Sequence, residues 1–196
     1  MRLKLGRPDI DDYRDRFDLP AAEPDAALSI TWLGVSTLLV DDGTSAVMTD
    51  GFFSRPSLAD VGLLRLAPSE SRIDDCLNRV GVNRLAAVLP VHTHYDHALD
   101  SAVVARRTGA RVVGGESAAN VARGQRLSPD DIVVVGPGEA LSLGPFEITL
   151  VESHHCPPDR YPGEITEPVV PPVKVSAYRC GEAWSTLIHH TPSGRR

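Results

Sequence analysis

No stretch of the 196 residues approaches the roughly 18 consecutive apolar residues of a membrane-spanning helix, so no span is expected. Cysteine is scarce: Cys76, Cys156 and Cys180 are an odd number with no CxxC pair. A disulfide framework is therefore not expected, and a reducing cytoplasm is the natural setting. Only two of the 20 basic residues are lysine, a bias that points to a GC-rich bacterial genome and not to a function. Basic charge as a whole is short, 20 Lys and Arg against 26 Asp and Glu for a net charge of −6, which argues against a general nucleic-acid binder. There is no GxGxxG or P-loop to cradle a phosphate, and no Ser or Cys sits beside its own base. The opening MRLKLGRPDIDDYRDRF turns acidic where a secretory apolar core would begin, so no signal peptide is expected.

What is present has globular proportions, 42% apolar and 23% charged residues, enough for one domain or part of a larger one. Residues 1–27, with Pro8, Pro20 and Pro24, read as a polar lead-in to a domain over 28–196. From Leu28 the runs LSITWLG, STLLV and TSAVMTD are short and β-prone, with Asp41-Asp42-Gly43 as a hairpin turn. SRIDDCLNRVG reads as a helix with Ser71 as N-cap, Ile73, Cys76, Leu77 and Val80 on one face, and Gly81 as the stop. AAVLPV (86–91) is apolar throughout, as a strand buried on both faces would be. A helix to Gly109 follows, then RVVGG, a helix over ESAANVARG, and strands in DIVVVG, EALSLG and FEITLVES. Residues 157–172 hold six of the sixteen prolines, the mark of a long irregular loop of the kind that lines or caps a site. KVSAYRC and AWSTLIHH read as two final strands around Cys180-Gly181-Glu182, and TPSGRR as a turn. The order is mixed α/β (α+β), built on at least one largely buried sheet.

All seven histidines fall into three clusters. In His92-Thr93-His94-Tyr95-Asp96-His97, two imidazoles at i and i+2 on extended chain point the same way and can share one metal, while Asp96 and His97 project to a neighbouring point. Imidazole and carboxylate without thiolate suit Zn²⁺, with Fe or Mn as alternatives. The pattern HxHxDH arises by chance on the order of once in a thousand such sequences. His154-His155 stand at the end of FEITLVES, and one of them would complete a three-histidine site with an open position for water. Cys156 reads as a small buried thiol, and His189-His190 as an exposed hairpin before the terminal turn.

HTHYDH between a buried strand and a helix resembles the signature of the metallo-β-lactamase-fold hydrolase superfamily. ITWLGVSTLLVDDGTSAVMTDGFFSRP looks like the opening hairpins of its broad β-lactamase-like branch, which includes sugar-lactone hydrolases and N-acyl-phosphatidylethanolamine phospholipase D-type enzymes. The resemblance runs from about Leu28 onward. It implies an αββα sandwich, of which this chain holds the first half and the opening strands of the second. It also implies that His92 and His94 bind a first zinc, that Asp96 and His97 bind a second, and that the strand-end ligand is His155, with His154 as fallback. Asp50 takes the place of an acidic residue that supports the ligands from behind, while Val35 stands where many members carry His. By the same resemblance the second site lacks its later Asp and His, since Asp159 and His189-His190 do not sit in the expected settings.

The expected chemistry is metal-assisted hydrolysis. Bound water falls from a pKa of about 15.7 to about 7, and the resulting metal-bound hydroxide attacks a lactone, ester, amide or phosphodiester of a small-molecule substrate. Asp96 orients the nucleophile or holds the second metal. A truncated, metal-binding remnant with little activity is the competing expectation; a half-built sandwich would expose a sheet through which it could form a homo-oligomer.

Overall fold

The computed structural model describes residues 26–196, so most of the lead-in read over 1–27 lies outside the described residues. Three strands open the fold: β1 (Ser29–Gly34), β2 (Thr37–Asp41) and β3 (Ala46–Thr49) pair antiparallel in sequence. β3 then pairs parallel with β4 (Ala87–Leu89), β4 with β5 (Arg111–Gly114), and β5 with β6 (Ile132–Val134), giving a six-stranded sheet in chain order. A second, antiparallel sheet holds β7 (Ala140–Leu143), β8 (Phe146–Ser153) and β9 (Ala183–His190).

The apolar run at β4 has the reason anticipated from its composition. Val88, with Met48 of β3 and Val112 of β5, faces Ile73 and Leu77 of helix α2 (Glu70–Val80) and Ala102 to Ala105 of α4 (Ser101–Thr108). Ala87 and Leu89, with Val47 and Val113, face Phe146, Ile148, Leu150 and Trp184 of the second sheet. Each buried Val, Leu, Ile, Met or Phe among them contributes about 1.5–3 kcal/mol through the apolar area it removes from water. The layers are therefore helix, sheet, sheet. Among the described residues no helix covers the outer face of β7–β9, where Val151 and Leu187 are exposed. Nor is any helix among them long and apolar enough to cross a membrane.

Two readings of local structure change. The N-cap of α2 is Ser69, whose carbonyl accepts the Ile73 N–H at 3.0 Å, so Ser71 lies inside the first turn; Gly81 ends the helix in the left-handed conformation as expected. KVSAYRC is not a strand. Val175–Ala177 is a 3₁₀ turn, and the segment bonds to its neighbours at scattered points, among them Cys180 N–H to Tyr161 O (2.8 Å) and Thr93 N–H to Cys180 O (2.8 Å). The alternation of V-S-A-Y fits a strand, but the proline-rich loop beside it offers no continuous ladder to pair with.

That loop is seated on α5 (Glu116–Gly124), where Val169 N–H bonds to Asn120 O (3.2 Å) and Asn120 Nδ2 donates to Ile165 O (2.8 Å). Gly124 permits the approach, because a Cβ there would lie 1.9 Å from Val169 O.

His189 and His190 are not an exposed hairpin pair. His190 is 3% exposed, packed on Phe146, with Nε2 3.1 Å from Asp42 Oδ2 and Nδ1 2.7 Å from Ser193 Oγ. This ties the end of β9 to the β2–β3 turn. Burial disfavours the Asp42 charge, but the Ser45 and Thr44 N–H groups, the Thr44 hydroxyl and His190 outweigh it and hold the carboxyl at about 2, below its usual 3.8. A lowered folded-state pKa means the contribution is complete above about pH 4 and is lost as pH falls toward 2. Asp42→Asn is expected to cost about 1–2 kcal/mol at neutral pH, with the gap to the parent closing by pH 2 in urea melts. A gap that is constant across that range would refute the assignment.

Candidate metal centre

The centre forms where β3, β4 and β8 all end at their carboxyl termini, the edge at which α/β sheets gather ligands. After β4 the chain is pinned by Thr93. Its N–H donates to Cys180 O at 2.8 Å, and its hydroxyl donates to Arg179 O at 2.6 Å. With Thr93 held on one side, His92 and His94 turn to the other, as the i, i+2 spacing requires. Their facing nitrogens, His92 Nε2 and His94 Nδ1, are 3.1 Å apart, and both residues are only 9% exposed. His155, two residues beyond β8, brings its ring to 4.8 Å from His92 and 4.7 Å from His94. One nitrogen from each of the three lies within 4.8 Å of the others.

Three observations fit a bound divalent ion. Two nitrogens at about 2.0–2.1 Å from one tetrahedral zinc stand about 3.3 Å apart, close to the observed 3.1 Å. His155 Nδ1 is buried without a hydrogen-bond partner, a costly state in its absence. Burial, with the adjacent His97, His94 and His155, pushes the His92 pKa down to about 3, so its imidazole is neutral and free to ligate.

His94 is oriented from behind. Its Nε2 lies 3.2 Å from Asp159 Oδ1 and 3.4 Å from Tyr161 O, which places the proton on Nε2 and the lone pair of Nδ1 toward His92. Asp159 also accepts the Tyr161 N–H at 3.0 Å, and the Cys180 thiol, raised to about 11 by burial and by this carboxylate, sits against it. His94, Asp159 and Cys180 make a second close group that shares His94 with the first. Asp159→Ala is expected to weaken the binding of a divalent metal about 10- to 100-fold without unfolding the chain, read by competition with a chelating dye. Unchanged affinity would show that Asp159 does not orient His94.

Asp96 and His97 join neither group. His97 Nδ1 donates to Asp50 Oδ2 at 2.9 Å and stands 3.0 Å from Ser36 Oγ, while its Nε2 is 3.8 Å from Asp96 Oδ2. Burial works against a proton on His97, but Asp50 and then Asp96 overcome it and raise its pKa. Asp50 is fully buried, accepts the Val91 N–H at 2.9 Å and the Ser36 hydroxyl at 2.5 Å, and so supports His97 from behind. Ser36 reaches it through a turn in which Val35 takes φ +53, a conformation β-branched residues rarely adopt. Asp96 lies in the first turn of the short helix α3 (Tyr95–Ala98) with its carboxylate half-buried. His154 and Cys156 are both exposed, so Cys156 is not the buried thiol that its neighbours suggested.

Two cavities flank the histidines. One of about 680 Å³ is lined by His94, Asp96 and His155 together with Leu58, Val61, Tyr95 and Tyr161. The other, about 650 Å³, shares His155 and carries Glu116, Glu152, Asp159, Glu164 and Glu182 with no Lys or Arg. The parts that sequence reading missed are Asp159 as a support, Ser36 and Thr93. The position of Asp159, four residues after a strand-end histidine in a loop, was the available signal.

No protein-family model matches the chain. It is similar to a UPF0173 metal-dependent hydrolase of Methanopyrus kandleri, 30% identical over 138 residues, covering 70% of this chain and 52% of that protein. A second UPF0173 metal-dependent hydrolase, from Methylobacterium nodulans, is 29% identical over 128 residues, covering 65% and 48%. The chain thus spans about half the length of the curated relatives it matches. Among solved structures it resembles MEM-A1, a subclass B3 metallo-β-lactamase from a soil metagenome library, with 19% identity, a TM-score of 0.51, and 87% of this chain and 58% of that one covered. It also resembles a metallo-β-lactamase of Cronobacter sakazakii, with 14% identity, a TM-score of 0.51, and 86% and 57% covered.

Proposed function

We propose that this chain, whose fold is that of the metallo-β-lactamases, is the metal-binding part of a zinc-dependent hydrolase acting in the cytoplasm on a small molecule: a lactone, ester, amide or phosphodiester. The observation that carries the reading is the convergence of His92, His94 and His155, with a buried and unpartnered nitrogen on the last. Residues 28–196 form the domain, and His92, His94 and His155 are its zinc ligands; His154 is not. Asp96 and His97 find no third donor among the described residues, so one zinc per chain is expected.

A bound divalent metal supplies acidification of a water and polarisation of the scissile bond's oxygen. The chain's own residues prepare for that. Asp159 keeps the Nδ1 lone pair of His94 directed at His92, and burial keeps His92 unprotonated. Asp50 fixes the His97 ring, which lies 3.8 Å from the His92 ring and holds it in place. Asp96, in the wall of the larger cavity beside His94 and His155, is placed to accept a proton from the attacking water.

The test is metal content followed by turnover. The zinc-loaded chain should hold about one tightly bound ion and hydrolyse at least one of a γ-lactone, a p-nitrophenyl ester, an anilide and bis-p-nitrophenyl phosphate, with loss of the activity on chelation. No hydrolysis in the panel, or hydrolysis indifferent to chelator, would sink the reading.

A further inference from the structure

The walls on the two sides of His155 differ in charge, and that difference orients a substrate. On one side the cavity of about 680 Å³ is walled by Leu58 and Val61 of α1 (Leu58–Leu63), by Tyr95, and by Pro158, Tyr161 and Val175. On the other, Val134, Val135 and Trp184 share the wall with five carboxylates, Glu116, Glu152, Asp159, Glu164 and Glu182, and no Lys or Arg lines it. Small-molecule sites have volumes of about 300–1,000 Å³ and mostly apolar walls with a few convergent polar groups; here those groups are His94, Asp96 and His155.

We propose that this cavity is an acyl subsite: it takes the apolar acyl chain of an ester, lactone or amide whose carbonyl lies at His94 and His155, and the neutral or cationic leaving group faces the carboxylates. This rests on the hydrolase reading and narrows it. A phosphodiester would bring its negative charge against Glu152, Glu164 and Glu182, in a wall that no Lys or Arg lines. Arg160 lines the same cavity. Gly62 lines the same wall, and a Cβ built on it meets nothing within 4 Å, so the cavity mouth is open at that point.

The subsite is tested by binding, apart from turnover. Sodium octanoate titrated into the metal-free chain and followed by NMR shifts should bind at least about tenfold more tightly than acetate. Leu58→Asp, at a position already 76% exposed, and Gly62→Phe, which fills the mouth, should each weaken octanoate about tenfold. Leu63→Asp, on the same helix but 84% exposed and outside the cavity wall, should not. Absence of octanoate binding, or binding indifferent to Leu58→Asp and Gly62→Phe, overturns the proposal.

In the zinc-loaded chain, kcat/KM for p-nitrophenyl esters should rise at least about tenfold from acetate to octanoate, and Leu58→Asp should collapse that ratio. Esters cleaved without dependence on chain length, or cleaved more slowly than bis-p-nitrophenyl phosphate, would also overturn the subsite while leaving a hydrolase. Octanoate binding of the expected pattern with none of the four panel substrates cleaved would leave the subsite and remove the hydrolase.

Discussion

Alanine at His155 is expected to lower zinc affinity by at least about a hundredfold and to abolish metal-dependent turnover, while alanine at His154 leaves the affinity unchanged. The two residues are adjacent and chemically identical, so the difference is geometric. Past the end of β8 only one of two neighbouring side chains turns inward, and it is His155 whose ring approaches both His92 and His94. His154 is exposed in the wall of the carboxylate-lined cavity. Equilibrium dialysis of the two variants decides the matter. Comparable losses in both, or a loss only in His154→Ala, would mean that the strand end is rotated and the ligand set is wrong. Circular dichroism of His155→Ala should match the parent, since the side chain packs against the site and not into either sheet.

The largest loss of stability is expected at Asp100, which makes no contact with the three histidines. Its carboxylate is fully buried at the start of α4 and accepts the Phe53 N–H at 2.7 Å, the Ser54 N–H at 2.6 Å and the Ser54 hydroxyl at 2.6 Å. Burial pushes its pKa up despite these donors. The bonds fasten the segment after Asp50, from which Phe52 and Phe53 enter two different apolar clusters. Asp100→Ala would strand three buried donors and is expected to cost about 3–5 kcal/mol, a fall in Tm of roughly 10 °C or more. Asp100→Asn, which can still accept from two of them, should lose about half as much. A loss below about 1 kcal/mol in urea melts would show that water replaces the carboxylate and that the segment is held by its aromatic residues alone.

The difference between these two predictions marks what could be read from the chain. The histidines announce themselves because i, i+2 spacing after an apolar run has a direct consequence in extended backbone. The helix over α2 was legible for the same local reason: Ile73 and Leu77 recur on one face, and Gly81 stops it. Asp100 was not legible, because a lone Asp before a helix is an ordinary N-cap and nothing nearby says that three donors 46 and 47 residues away converge on it. Asp159 failed in the same way, since its partner His94 is 65 positions earlier. KVSAYRC carried a strand pattern but found no ladder, and His190 looked exposed because Asp42, 148 residues distant, is its partner.

By itself, then, the sequence determined most of the order of elements, the strand buried on both faces at AAVLPV and the residue types of a metal site, which follow from periodicities of two and 3.6 residues and from local turn chemistry. The family resemblance already favoured His155 over His154 and placed Asp50 behind the ligands; the tertiary structure alone decided that Asp96 and His97 stand apart from the three-histidine group, that His97 is the imidazole Asp50 braces, and that Asp159 braces His94. These are contacts between groups far apart in the chain, fixed by how the two sheets and the proline-rich loop close on one another, and no short-range pattern encodes them.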